Sequence, residues 1–264
     1  MKQIHYTSGL PRACSSLLQN LLAQNPQVHA TATSGVHEIG YIARQFFETD
    51  EFKTFIDPLE GERQYFDFLR AGISGAYESA TDRPVVVDKC RSWVGHLDQL
   101  FKLFPDAKVL VPVRDVRGIL CSLEKKRREH PSRMSGIEKA NPQNWTTVEK
   151  RSQAWLSMPP LSIALERIHD ARRHWDRLHF VHAEDLTTKP KETMQGVWDY
   201  LGMEFDGHDF SNVEQYTQEH ELGWPFGDHT IRPTVKPLVP EWHDILGRQF
   251  SEAIHQKFDW VNQL

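Results

Sequence analysis

Four short apolar runs set the architecture available to this chain. Residues 4–7 (IHYT), 84–87 (PVVV), 109–113 (VLVPV) and 180–183 (FVHA) have the length and the apolar or β-branched character of core strands. The first enters the turn Ser8-Gly9-Leu10-Pro11 and then a helical spacing at Leu17, Leu18, Leu21 and Leu22. The last precedes a polar loop and a helical stretch at 193–201 that Gly202 ends. Strands that alternate with helices cannot be joined by hairpins, so the reading is an α/β protein: an open parallel sheet flanked by helices, with right-handed crossovers. With 39% hydrophobic residues in 264 the chain can bury a full core, and no linker composition divides it. Residues 1–264 are therefore expected to form one domain.

Two stretches interrupt the alternation. Residues 36–80 carry helical patterns at 36–47 and 64–79 and are expected to form a helical insertion. Residues 127–160, with their clustered Pro, Asn, Ser and Trp, read as a mobile substrate lid. Both lie close in sequence to the chemistry described below, so both are expected to roof it, with Phe46, Phe47, Trp145 and Trp155 available to an acceptor. After residue 219 the composition is irregular, and a final amphipathic helix is expected over about 244–258.

The segment Ser8-Gly9-Leu10-Pro11-Arg12-Ala13-Cys14-Ser15-Ser16 joins a strand to a helix start. Unpaired amides and the positive end of the helix dipole suit phosphate oxygens there, with hydroxyls from Ser15 and Ser16 and a fixed charge from Arg12. The pattern GxxxxGK[ST] of magnesium-dependent nucleotide kinases is absent, because no lysine stands where it requires one. A plain Gly-Pro turn with an N-capping serine is the competing account. Farther on, Val113-Arg114-Asp115-Val116-Arg117 ends a strand, and Ser122 lies two turns into the helix that follows. Arg114 can fork onto a terminal phosphate and Ser122 can donate to the same group. The alternative is a surface ion pair between Arg114 and Asp115, with Ser122 in solvent.

Taken together, SGLPRxxSSLL with its following LxQNP, and RDxRxxxxS at 114–122, resemble the two phosphate motifs of sulfotransferases that use 3′-phosphoadenosine 5′-phosphosulfate (PAPS). The resemblance implies a P-loop-type fold and a metal-independent, in-line transfer of a sulfuryl group to a hydroxyl or amine acceptor, either a small molecule or a carbohydrate or peptide. It places the 5′-phosphosulfate on Gly9, Pro11, Arg12, Ala13, Cys14, Ser15 and Ser16, and the 3′-phosphate on Arg114 and Ser122. Ala13 and Cys14 depart from the family's Ser and Gly, which requires at Cys14 a backbone conformation open to a side chain. Lys89, in a DK segment, is implied as a second cation on the sulfuryl oxygens, and Lys236, in a late segment at 229–237, as a nucleotide contact. Ala183 stands where the family has a tyrosine. Glu38, or else His37, is read as the general base, with His29 and His229 as alternatives. A non-catalytic nucleotide-binding homologue and a nucleotide kinase are the competing functions.

Composition limits the partners. A formal net charge of −5 and an isoelectric point near 6.3 disfavour a nucleic-acid binder, so any anion site must be a local one. Cys14, Cys90 and Cys121 form no CxxC pair, and the 14 histidines show no HExxH spacing, so no metal cluster is expected. The first residues lack an apolar leader, and no run approaches the ~20 apolar residues that span a bilayer. A cytoplasmic location, without nucleic-acid or membrane partners, is expected; nothing in the sequence sets the oligomeric state.

Overall fold

Every residue of β3 (Val85–Lys89) and β4 (Val109–Val113) is buried, which is why both read as continuous runs rather than as alternating strands. The computed structural model describes residues 2–55, 60–131, 136–218 and 229–264. Parts of the anticipated insertion (56–59), lid (132–135) and irregular tail (219–228) lie outside the described residues. Strands β1 (Gln3–Thr7), β2 (Val28–Ala30), β3, β4 and β5 (Leu178–His182) form one parallel sheet in the order β2-β3-β1-β4-β5. The register is set by pairs such as Gln3 with Val85, Tyr6 with Val109 and Val109 with Leu178.

The strand period of two divides the core. Val86, Val109, Val111 and Val113 join one apolar layer; Val85, Val87 and Leu110 join the other. The first layer is completed by α4 (Gly61–Ala80), α5 (Leu97–Leu103), α6 (Val116–Glu129), α9 (Leu161–Asp170) and α13 (Arg248–Asn262). The second is completed by α1 (Ser15–Ala23) and α11 (Pro190–Leu201), whose Trp198 is wholly buried. The chain leaves β1 towards β3 on one side and β4 on the other, so the order reverses at β1. In open α/β sheets the carboxyl ends of strands at such a point form the ligand crevice.

The structure adds local detail at three places. The edge strand β2 was not anticipated; it is held by parallel pairing of Val28, His29 and Ala30 with Val85, Val86 and Val87. The polar loop expected after β5 is instead α10 (Ala183–Thr188), which opens with Glu184 and Asp185 and in which the Thr187 and Thr188 hydroxyls bond back to the Ala183 and Glu184 carbonyls. The expected lid is largely helical, with α7 (Gly136–Ala140), a 3-10 turn at Pro142–Trp145 and α8 (Val148–Ser157). Glu124 of α6, wholly buried, accepts from Arg151 of α8 at 2.8 Å on both oxygens and from Arg128 at 2.7 Å. Burial pushes this carboxyl up, but bonds from Arg151 and Arg128 outweigh burial and hold it below the usual range. Breaking such a buried pair costs about 3–5 kcal/mol, so α8 is pinned to α6.

The insertion comprises α2 (Glu38–Phe47), α3 (Asp50–Phe55) and α4. Phe46 and Phe47 pack against Phe52 and Phe68 there, with centroid separations of 4.1–6.3 Å. The chain ends with α12 (Trp242–Leu246) and α13; no helix among the described residues is long and apolar enough to cross a membrane.

Candidate functional site

The turn after β1 is shaped by β4. Ser8 N–H donates to the Leu110 carbonyl and Leu10 N–H to that of Pro112, both at 2.9 Å. A Cβ on Gly9 would lie 2.2 Å from the Pro112 carbonyl oxygen, so only glycine lets the loop lie against the strand. Gly9 thus fixes the loop's path, and neither it nor Ala13 lines the cavity described below.

Beyond Pro11 the backbone turns left-handed twice, at Arg12 (φ 60°) and at Cys14 (φ 58°). The conformation open to a side chain expected at Cys14 is not adopted. Cys14 keeps the left-handed geometry that the missing glycine would favour, at a cost of roughly 1–3 kcal/mol that the surroundings must offset. It also occupies the cap position of α1 without a side-chain cap bond, so the N-capping serine of the competing account is absent and Ser15 is the first helical residue. The first intrahelical bond runs from Leu18 N–H to the Cys14 carbonyl, which leaves the amides of Ser15, Ser16 and Leu17 ahead of the helical ladder.

The two motifs, a hundred residues apart in sequence, are bonded to each other. Arg12 Nε donates to Ser122 Oγ at 3.0 Å, and the Arg114 Nη1 donates to the Arg12 carbonyl at 2.9 Å. Because Ser122 Oγ accepts here, its own proton stays available for a ligand. Arg114 Nε is buried without a hydrogen-bond partner among the described residues, with Glu184 Oε1 at 4.0 Å. The ion pair considered between Arg114 and Asp115 does not form. Asp115 instead accepts from Arg117 N–H at 2.8 Å, capping α6, and pairs with the Arg117 guanidinium at 2.7 Å.

These residues line a cavity of about 1000 Å³, to which Pro11, Arg12, Cys14, Ser15, Ser16, Arg114, Ser122 and Lys236 all contribute. Eight of its described lining side chains are cationic against three carboxylates, in a chain whose formal charge is −5. That is a focused positive site in an acidic protein. Burial pushes the Cys14 thiol up, opposed by Arg114 and Arg12, and pushes the Cys121 thiol up to about 11, so both line the cavity as neutral thiols at physiological pH. No group of three His, Cys, Asp or Glu side chains among the described residues is placed to hold a metal ion.

Lys89, His37 and Glu38 gather elsewhere, at the carboxyl end of β3. Lys89 is nearly buried; its N–H donates to Thr31 Oγ1 at 2.8 Å and its carbonyl accepts from Ser34 N–H at 2.9 Å. His37 Nδ1 lies 3.2 Å from Cys90 Sγ, and Nε2 lies 3.0 Å from Glu38 Oε1. None of the three is among the described residues lining the large cavity, and no residue of the insertion is either, contrary to the expectation that it roofs the site. His229 lines the cavity, whereas His29 lies on β2 and does not.

Sequence reasoning missed Arg91, Gly118, Glu184 and Trp242 as lining residues. Arg91, two positions after Lys89, had a signal in its own motif. Gly118 had one in the run RDVRG, because a small residue one turn after Arg114 leaves that side chain room along the helix. Trp242, stacked under the Arg117 guanidinium at 4.3 Å, had no local signal.

Comparison with known proteins gives a consistent result. The sulfotransferase family model matches residues 7–207. Among solved structures, the sulfotransferase domain of the Synechococcus PCC 7002 olefin synthase is similar over 98% of this chain and 96% of its own, with a TM-score of 0.56 and 19% identity. The sulfotransferase domain from the curacin biosynthetic pathway covers 98% of both chains at a TM-score of 0.56 and 14% identity. A Mycobacterium avium sulfotransferase is similar over 100% of this chain and 77% of its own, at a TM-score of 0.51 and 13% identity. No curated protein sequence matches the chain at a significant level.

Proposed function

The chain belongs to the sulfotransferase family, and from that premise we propose that it transfers a sulfuryl group from PAPS to an acceptor hydroxyl or amine, without a metal. The observation that carries this reading is the bonded pair of anion sites. A loop with amides ahead of the helical ladder and Arg12 suits one phosphate group, and Arg114 with Ser122 suits a second, inside one cationic cavity. Arg114 Nε makes no hydrogen bond among the described residues and has only the Glu184 carboxylate at 4.0 Å, which leaves it donor capacity for an arriving anion.

PAPS, when bound, supplies the sulfuryl group and a phosphate leaving group. Arg12 then holds charge between the two; a guanidinium keeps its proton at neutral pH, so its contribution is electrostatic. Ser15 and Ser16 add hydroxyl donors at the helix start. Lys89 assists from the end of β3. Glu38 takes the acceptor proton in this reading: both nitrogens of His37 are engaged, whereas only Oε1 of Glu38 has a partner among the described residues. His37 then orients Glu38.

The test compares adenosine 3′,5′-bisphosphate with adenosine 5′-phosphate by thermal shift on wild type and Arg114→Ala. The bisphosphate is expected to raise the Tm of the wild type well above the monophosphate, and the variant is expected to lose most of that difference. Equal shifts in the wild type would remove the 3′-phosphate assignment.

A further inference from the structure

Asp88 takes no part in the chemistry derived so far, yet it places a carboxylate in the core. It stands beside Lys89 at the end of β3, but successive side chains of a strand leave on opposite faces, and that of Asp88 is wholly buried. Its two oxygens accept from two different segments, Oδ2 from Trp93 Nε1 at 2.7 Å and Oδ1 from Thr31 Oγ1 at 3.3 Å. Both donors are neutral, and no cation pairs with Asp88 among the described residues. Burial and, after it, the Asp88 charge hold the Tyr6 and Tyr77 phenols above their usual range, so both stay protonated around it. A charge kept in such surroundings is costly. Asparagine would fill the same space without it, but an amide accepts at one end only. It would set an N–H against the indole N–H or turn the Thr31 hydroxyl away.

Both donors lead to the same residue. The indole of Trp93, in the 3-10 turn Trp93–Gly95, lies edge to face with Tyr6 at 4.7 Å and with His37 at 6.1 Å. Thr31 begins the segment that runs into His37: its Oγ1 accepts from Lys89 N–H at 2.8 Å, and Ser34 N–H donates to the Lys89 carbonyl at 2.9 Å. The stem that carries His37 and the ring against which it rests thus hang on one carboxylate. His37 has two bonds to keep. Burial pushes the Cys90 thiol up, so the sulfur holds its proton and can donate it to Nδ1 at 3.2 Å, while Nε2 carries a hydrogen to Glu38 Oε1 at 3.0 Å. Rotation of the ring breaks both. The phosphate loop touches this arrangement through Val94 N–H on Ser8 Oγ at 2.9 Å, but its path is set by β4 through the Leu110 and Pro112 carbonyls.

We propose that Asp88 is a positioning residue: through Trp93 and Thr31 it fixes the His37 ring in the one orientation and tautomer that hold Glu38 ready for the acceptor proton. The inference rests on the reading of Glu38 as base for its catalytic sense, but the ring itself is tested separately. Long-range proton–nitrogen NMR on the isotope-labelled full chain, near neutral pH, reads the histidine rings of wild type, Asp88→Asn, Trp93→Phe and Thr31→Val. Wild-type His37 should be the Nε2–H tautomer. Asp88→Asn should move the ratio of its two neutral tautomers towards even by about tenfold, and Trp93→Phe and Thr31→Val by about threefold each. These two cut one bond apiece and guard against a folding defect in the asparagine variant. His208, bonded to Trp198 in the other core layer, should not move. Affinity for adenosine 3′,5′-bisphosphate, measured by calorimetry, should stay within about threefold in every variant. A wild-type ring that is not the Nε2–H tautomer, His37 signals indifferent to Trp93→Phe and Thr31→Val, a His208 ring that moves with His37, or a larger loss of bisphosphate affinity overturns the proposal. Unchanged sulfuryl transfer in Glu38→Gln, with the His37 response present, overturns the base reading and leaves the positioning of the ring standing.

Discussion

Replacing Gly118 with alanine tests how closely the Arg114 side chain is held in place. Gly118 is buried in the first turn of α6, where an added Cβ would lie 2.8 Å from Arg114 Nε and 3.3 Å from its Cζ and Nη2. Ordinary contact begins near 3.4 Å, so the guanidinium must retreat by roughly 0.6 Å, and the retreating atoms are mid-chain rather than a free tip. Such a shift misaligns the bond from Nη1 to the Arg12 carbonyl and moves the fork proposed to read the 3′-phosphate. A hydrogen bond to a charged group contributes about 1.5–3 kcal/mol, and losing most of one weakens bisphosphate binding about 10- to 100-fold. Alanine in place of glycine in a helix gains up to about 1 kcal/mol, which offsets only part of the weakened bond from Nη1 to the Arg12 carbonyl, so the apo protein should melt somewhat lower than wild type. Calorimetric titration with adenosine 3′,5′-bisphosphate and adenosine 5′-phosphate, beside a melting curve of the free protein, reads both quantities. Bisphosphate affinity within threefold of wild type would show that Arg114 does not read the 3′-phosphate from this position.

Glu38→Gln should lower kcat by about 10²-fold or more while bisphosphate affinity holds; a loss under threefold would move the base elsewhere. Sulfuryl transfer should persist in excess chelator, and strict dependence on magnesium would favour the kinase reading. His208 accepts from Trp198 Nε1 at 2.8 Å, and its Nδ1 lies 3.0 Å from Gln24 Oε1, so the ring is held neutral; burial lowers its pKa to about 4. The unfolded chain binds this proton near pH 6.5 and the folded chain only near 4, so stability from this site falls as pH drops through that window. Urea unfolding of His208→Gln between pH 7 and 4.5 should show a shallower decline than wild type, and an unchanged decline would refute the assignment.

The strands visible in the sequence are those that need no context. The runs at 85–87 and 109–113 are buried on both faces and could hardly be anything else. Val28-His29-Ala30 carries no such pattern: it is a three-residue edge strand whose stability comes from β3. The helix at Ala183–Thr188 has two threonines near its end and an acidic start, so its local propensity is close to that of a loop; the buried Leu186 and Thr187 decide the outcome. In the site, the two segments that line one cavity, the loop after β1 and Arg114 with Ser122, could be picked out because a glycine turn, a helix start and arginines stand at fixed offsets after apolar runs. The bond from Arg12 to Ser122 and the place of residues 158–161 in the cavity lining were not, because they depend on how distant segments dock. Trp145, read as available to an acceptor, lines the cavity but is 8% exposed, with its ring edge to face against Trp155 at 5.8 Å.

The contact of Gly9 with Pro112 has a consequence for biogenesis. The loop takes its shape from a strand synthesised about a hundred residues later, through the carbonyls of Leu110 and Pro112. A nascent chain that has emerged only as far as α5 carries every residue of the loop and none of the template that bends it. Anion binding at this loop should therefore arise late, once β4 has docked beside β1, and loop closure over that separation belongs to the slow, non-local part of folding. If the proposed nucleotide binds there, it should stabilise the finished sheet and give no advantage to the chain before β4 has formed.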